Sequence, residues 1–277
     1  MKLYQDVAYD TGKLITKRYS TSFSIGTRLL GKDIRQAIYA IYGYVRVADE
    51  IVDTFHTHDQ ATLLHHFIRD TEWALQHGIS TNPVIQGFQE VVHRYKIDKE
   101  YVDAFLSSME MDLNPQSYDR TKFEAYIYGS AEVVGLMCLR VFCEGDDALF
   151  RHLLAPAQAL GAAFQKVNFL RDMQDDYHRL GRIYFPKADF SNFDTCTKRE
   201  IEAEIEADFR HALSGIRQLP TSSRLGVYVA YKYYRALFEK IRTKEPKQLL
   251  SGRVRIPNSE KMLYLASGYL RYQMNWL

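Results

Sequence analysis

Proline is scarce in this chain, seven among 277 residues, and its fifteen glycines are scattered along the whole length. So few breakers, with apolar residues recurring at spacings of three and four, argue against a strand-and-turn architecture and predict long helices in an all-α fold. Cysteine is scarcer still. Cys138, Cys143 and Cys196 form an odd set without paired zinc spacing, which points away from a disulfide framework and towards three buried thiols in a reduced, cytoplasmic setting. Long hydrophobic runs are lacking too: VVGLMCL and LLAPAQALGAAF fall short of the roughly 20 residues of a spanning helix. The first residues, MKLYQDVAYDTGKL, carry Asp6 and Asp10 and no apolar core, unlike a signal or transit peptide. Nor is there an excess of one charge. Lysine plus arginine (36) nearly balances aspartate plus glutamate (34), so no global field draws nucleic acid or an acidic lipid surface, and any affinity for anions must be local. A soluble chain, at most peripheral on a membrane, is expected.

What the chain does have is apolar residues, 46% of the total, ample for a buried core. No internal repeat, sustained heptad or interdomain linker interrupts it, so one domain over residues 1–277 is the simplest organisation. Asp33 is placed to cap a helix through IRQAIYAIYGYVRVADEIVDTF, where Ile34, Ile38, Ile41 and Val45 form an apolar stripe. Further helices are expected from Thr81, with Pro83 in the first turn, and from Asp98. Others are expected over FEAYIYGSAEVVGLMCLRVF, from about Leu149 to Arg179, from Lys198 to Leu219, and over YVAYKYYRALFEKI. Pro186 with KADFSNFDT reads as a loop, and Pro246 through Pro257 as another break.

Two of these helices carry acidic stripes. Asp49 and Asp53, four residues apart, share one helix face, whereas Glu50 points away from Asp49. Asn168, Asp172 and Asp176 repeat the spacing of four and form a polar stripe in an otherwise apolar segment. A single such pair is most often a solvated helix face. Two of them, bracketed by apolar residues, suit magnesium, a hard ion that binds through carboxylates and substrate phosphates and can assist departure of a diphosphate. Arg46 and Arg171 lie beside the acids and could add bidentate phosphate contacts. His56, His58, His65 and His66 lack a third ligand at metal spacing and read as exposed side chains. The twenty tyrosines and fifteen phenylalanines suit a pocket for carbocations and ordinary packing equally well.

The segment LGAAFQKVNFLRDMQDDYHRLGRIYFP, residues 160–186, resembles the second signature of the squalene/phytoene synthase family, through Leu160, Gly161, Gln165, Asn168, Arg171, Asp172, Asp176, Arg182, Tyr184 and Pro186. RVADEIVD is similar to the first acidic motif of the phytoene branch, YSTSFSIGTRLL to the amino-terminal Ser-x-Ser-Phe segment, and MEMDL also has a counterpart, so the likeness runs from about residue 15 to 265. YIYGSAEVVG resembles the family's first signature with two departures. Ile127 stands where a small residue is usual, and Glu132 replaces another small one, so either an ion pair or a carboxylate near the reaction chamber is expected there.

The resemblance implies an isoprenoid-synthase helical bundle around a central cavity, with the acidic pairs at its mouth, catalysing head-to-head condensation of two prenyl diphosphates. Asp49, Asp53, Asp172 and Asp176 would be catalytic metal ligands for Mg2+ (or Mn2+), with Asn168 helping directly or through water. Ser20, Ser22, Arg46, Arg171, Tyr234 and Arg253 would contact diphosphate; for Tyr234 and Arg253, core packing and surface pairing are the alternatives. Gln165 and Tyr128 would line the chamber, Tyr128 as the pocket tyrosine. Two geranylgeranyl diphosphates giving phytoene, without NADPH, is the expected reaction. The alternatives are dehydrosqualene or NADPH-dependent squalene synthesis from farnesyl diphosphate, with product length set by pocket-lining residues such as Thr27 and Tyr39. A non-catalytic relative acting in assembly would be expected to lose the acids that are all retained. No nucleic-acid partner is expected, and peripheral membrane contact would serve product release. The sequence leaves the oligomeric state open.

Overall fold

In the computed structural model of the protein, residues 1–114, 118–182, 184–186, 193–257, 260, 267–270, 272 and 274 are described, 179 and 180 by backbone alone. Among these residues there are helices and no strand. In chain order they are α1 (Lys2–Tyr19), α2 (Thr21–Arg28), α3 (Lys32–Asp53), α4 (Gln60–His77), α5 (Pro83–Tyr95), α6 (Lys99–Asp112) and α7 (Arg120–Ile127). A π-helical turn (Tyr128–Glu132) joins α7 to α8 (Val133–Cys143), and α9 (Asp147–Leu180), α10 (Thr195–Ile216), α11 (Thr221–Arg242) and α12 (Pro246–Ser251) follow.

Helix α3 forms because its apolar residues fall on one side. Ile34, Ile38, Ile41, Tyr44, Ala48 and Ile51 are buried, and Tyr44 stacks on Phe88 at 3.7 Å. Its cap is Gly31, not Asp33, whose carboxylate falls in the first turn, where the helix dipole favours negative charge. Similarly α5 is capped by Asn82, whose side chain accepts the Val84 N–H at 3.0 Å; Pro83, fitted to the first helical position, selects Asn82 over Thr81. Asp98 does stand at the α6 cap, but its carboxylate is taken by Arg140 at 2.8 Å.

The single helix expected over residues 123–142 runs without interruption from Arg120 to Cys143, with a π turn at its centre. Neighbouring backbones crowd this segment: a Cβ on Gly129 would meet Ala104 O at 2.5 Å, and one on Gly161 of α9 would meet Ala131 O at 2.7 Å. A turn widened by one residue lets the chain follow both contacts. The whole stretch Arg120–Cys143 is long and apolar enough to cross a membrane, contrary to the reading of its shorter runs, yet 56% of its apolar window is buried within the protein. It is a core wall.

Other differences are local. Pro156 lies inside α9, where it removes one helical hydrogen bond, and Gly215 on α10 makes room for its ring. The break foreseen at Pro246 contains the short α12, started by the reciprocal cap of Glu245 and Gln248, before the chain continues without regular secondary structure through residues 253–257. KADFSNFDT lies largely outside the described residues. Of the three thiols only Cys143 is buried; Cys138 is half-buried and Cys196 exposed.

Candidate active site

The carboxyl-terminal half of α3 and the middle of α9 face one hollow of about 580 Å³. Asp49 and Asp53 line it from α3, and Gln165, Asn168, Arg171, Asp172, Asp175 and Asp176 from α9. Ser20 and Ser22 enter from the start of α2, Arg46 from α3, Tyr234 from α11, and Arg253 from the segment after α12. Of the residues assigned above to metal, diphosphate or catalysis, only Tyr128 lies outside this hollow.

Charge in this hollow is densely paired. Arg46 donates to both Asp49 and Glu50, because the two ends of a guanidinium fork reach side chains that leave the helix in different directions. Arg171 Nε donates to Asp172 Oδ1 at 2.9 Å, and Arg253 Nε lies 2.8 Å from the same oxygen. Tyr234 donates to Asn168 Oδ1 at 3.3 Å and stacks on Phe164 at 3.8 Å. Even so, burial pushes the Asp49 carboxyl up to about 7, with the neighbouring Asp53 charge adding to the rise. Burial likewise pushes Asp176 up to about 8, helped by Asp172 on its own helix and Asp53 on α3.

Negative charge crowded into a desolvated hollow invites a cation, and the donors here, carboxylates plus one amide oxygen, are the oxygen ligands that magnesium takes. Among the described residues, no three His, Cys, Asp or Glu side chains converge on a single metal position. Guanidinium groups instead hold oxygens of Asp49, Asp53 and Asp172. The residue types fit the metal; the arrangement is the arginine-paired one.

Below the charged hollow lies an apolar chamber of about 290 Å³. Phe23, Tyr42, Phe164, Asn168, Ala230 and Tyr234 line both spaces, which therefore adjoin. An ionic head above and a hydrocarbon tail below would fit one ligand spanning them.

Tyr128 requires a correction. It is 36% exposed and lines neither space, whereas Tyr126 lines the charged hollow and Ser130, Ala131 and Val134 the chamber. Residues two apart on a helix face opposite sides, so once Tyr126 and Ser130 face inward Tyr128 faces out. Glu132 also lies off the chamber wall, half-buried, accepting a hydrogen bond from Gln158 Nε2 at 3.0 Å; burial raises its pKa. Ile127 is buried in the core. Thr27 does line the chamber, but Tyr39 does not; Tyr42, one turn on, takes that place. His56, His58, His65 and His66 are exposed.

The sequence reading missed a buried ionic centre beside the acids. Arg182, 5% exposed, pairs with Asp53 at 2.6 Å and Asp112 at 3.4 Å. Asp112 also accepts from Tyr126 at 2.7 Å and Tyr184 at 3.3 Å. Burial nevertheless pushes its carboxyl up to about 6, against the opposing pull of Arg182. The available signals were an acid closing the apolar α6 and an arginine directly after Gly181, which ends α9 in the left-handed conformation.

The all-α bundle has known counterparts. A dehydrosqualene synthase solved with a ligand superposes with a TM-score of 0.83 at 23% identity, covering 99% of each chain. A squalene synthase from Alicyclobacillus acidocaldarius gives 0.74 at 20% identity, over 91% of this chain and 97% of that one. These likenesses show a shared all-α fold. The squalene/phytoene synthase family model matches residues 16–260, and the chain belongs to that family of prenyltransferases. Among its relatives, a phytoene synthase of Arthrospira platensis is 28% identical over 290 aligned residues, 95% of this chain and 93% of that protein. A 4,4'-diapophytoene synthase of Staphylococcus haemolyticus is 29% identical over 70% of this chain and 67% of its own length.

Proposed function

We propose that this chain, acting as one domain, condenses two geranylgeranyl diphosphates head to head to phytoene in carotenoid biosynthesis. The observation that carries the reading is the charged hollow lying against the apolar chamber with six lining residues in common, which offers a diphosphate and its prenyl tail adjoining environments. The relative matched over most of both chains, a phytoene synthase, supports the longer substrate. A second reading, condensation of two farnesyl diphosphates, is favoured by the diapophytoene synthase relative, at a similar identity over a shorter stretch.

In the first half-reaction the C1–O bond of one molecule breaks and diphosphate leaves with the electron pair. The double bond of the second molecule attacks the allylic cation, and proton loss closes a cyclopropylcarbinyl diphosphate. In the second half that diphosphate leaves, the skeleton rearranges, and loss of a proton gives the conjugated triene. No reductant is needed, so NADPH has no part. Asp49 and Asp53 on one side, with Asn168, Asp172 and Asp176 on the other, would hold magnesium, whose positive charge would stabilise the leaving diphosphate. Arg46, Arg171 and Arg253 are placed to turn from the carboxylates to the diphosphate oxygens, alongside Ser20, Ser22 and Tyr234. Gln165, on the wall of the charged hollow, would border the reacting carbons. The apolar walls keep water from the cations, and the hydrocarbon product calls for a cytoplasmic enzyme that touches a membrane to release it.

The test is incubation with farnesyl or geranylgeranyl diphosphate and Mg2+, with and without NADPH, followed by product analysis. Phytoene formed without NADPH is expected; squalene formed only with NADPH would overturn the assignment.

A further inference from the structure

The apolar chamber ends on a feature of its own. Helices α2, α9 and α11 all pass from the charged hollow into the chamber. Phe23, Asn168 and Tyr234 line both spaces, whereas Leu30, Leu153 and Gly226, further along the same stretches of chain, line the apolar one alone. Along α9, the path from residue 168 back to residue 153 covers about 22 Å at the helical rise. This is the end furthest from the carboxylates.

Leu30, 4% exposed, lines the apolar space alone and packs against Gly226 of α11. A Cβ at position 226 would meet Leu30 Cδ2 at 2.5 Å and Gly26 O at 2.7 Å, so the leucine lies in a space that only glycine leaves free. Its backbone is tied from both sides. Leu30 N–H donates to Thr27 O at 3.2 Å, Arg35 Nη2 donates to Leu30 O at 2.7 Å, and the next residue, Gly31, donates to Ser222 O at 2.7 Å. Because this backbone is anchored to α2, α3 and α11 together, the leucine is held in place at its Cα, and only rotation of its side chain can move the isobutyl group. By contrast Thr27 gives its hydroxyl to Phe23 O on its own helix, at 2.8 Å, and belongs to the side wall.

We propose that Leu30, seated on Gly226, is the specificity-determining stop of the chamber, setting how many isoprene units fit beneath the diphosphate site. The inference rests on the prenyl-diphosphate reading above. Removing its isobutyl group extends the chamber along its axis and admits a longer tail; a larger ring at the same place shortens it. Apolar pockets discriminate chains by the carbons they can or cannot house.

The test compares the native chain with Leu30→Ala and Leu30→Phe, each incubated with equal amounts of farnesyl and geranylgeranyl diphosphate and Mg2+. Products are separated by chain length, and folding is checked by circular dichroism. Leu30→Ala should raise the ratio of longer to shorter product by about tenfold, and Leu30→Phe should lower it by a similar factor. If Leu30→Ala does not fold, Leu30→Val carries the same comparison with a smaller shift in the same direction. A ratio that stays within about twofold of native in the folded variants, while the native chain condenses at least one substrate, overturns the stop and leaves the functional reading standing. Turnover of neither diphosphate by the native chain overturns both.

Discussion

Arg182 donates through Nη1 to Asp53 Oδ1 at 2.6 Å, so the segment leaving α9 holds the last carboxylate of α3. The same guanidinium donates to the Val52 and Asp112 carbonyls at 3.3 and 3.0 Å, bringing α3, α6 and the end of α9 onto one buried cation. The two acid-bearing helices are thus joined through this arginine.

Removing that cation leaves Asp112 buried without its counter-charge, and breaking a buried pair from one side costs about 3–5 kcal/mol. Arg182→Ala should therefore unfold at lower urea with an unchanged slope. Stability equal to native would mean that the pairing contributes nothing.

Asp112 also makes stability depend on pH. Its carboxyl is raised from 3.8 to about 6 in the folded chain, so its contribution favours folding below pH 3.8 and is lost as pH climbs through about 6. Asp112→Asn, although less stable because Arg182 loses a partner, should lack this loss. Its stability measured from pH 4 to 7 should fall less than native, by on the order of 2 kcal/mol; parallel curves would refute the burial effect.

Asp172 accepts from Arg171 and Arg253 at once. Asp172→Asn should keep the helical circular dichroism yet lower magnesium-dependent turnover by on the order of a hundredfold or more. Isothermal titration with Mg2+ and a non-hydrolysable diphosphate should show weaker binding. Undiminished turnover would count against this carboxylate as a ligand.

Tyr126 and Tyr128 differ by their side of the helix. Tyr126→Phe removes the hydroxyl that donates to buried Asp112 and should cost about 1–3 kcal/mol in thermal or urea unfolding. Tyr128→Phe, on the exposed side, should change stability by less than about 0.5 kcal/mol and leave kcat/KM at the native value. The reverse pattern would place Tyr128 inward.

How much was readable in advance follows the range of each interaction. The stripes of Asp49 with Asp53, and of Asn168, Asp172 and Asp176, lie within single helices, so the residues per turn alone put each set on one face. The all-α class, most helix positions and the family signatures are local in the same sense. Boundaries shifted where a cap competed with its neighbour, as at Gly31 and Asn82.

The sequence by itself thus determined which residue types would share a helix face, because that geometry is repeated at every turn. Only the tertiary structure decided that Tyr126 faces the hollow in place of Tyr128, that Arg182 and Asp112 meet behind Asp53, and that Leu30 rests on Gly226 at the end of the chamber. Each of those depends on how closely two distant backbones approach and on the phase of a single turn. A missing Cβ or one extra residue in a turn settles such matters, and neither is encoded in the spacing of any one segment.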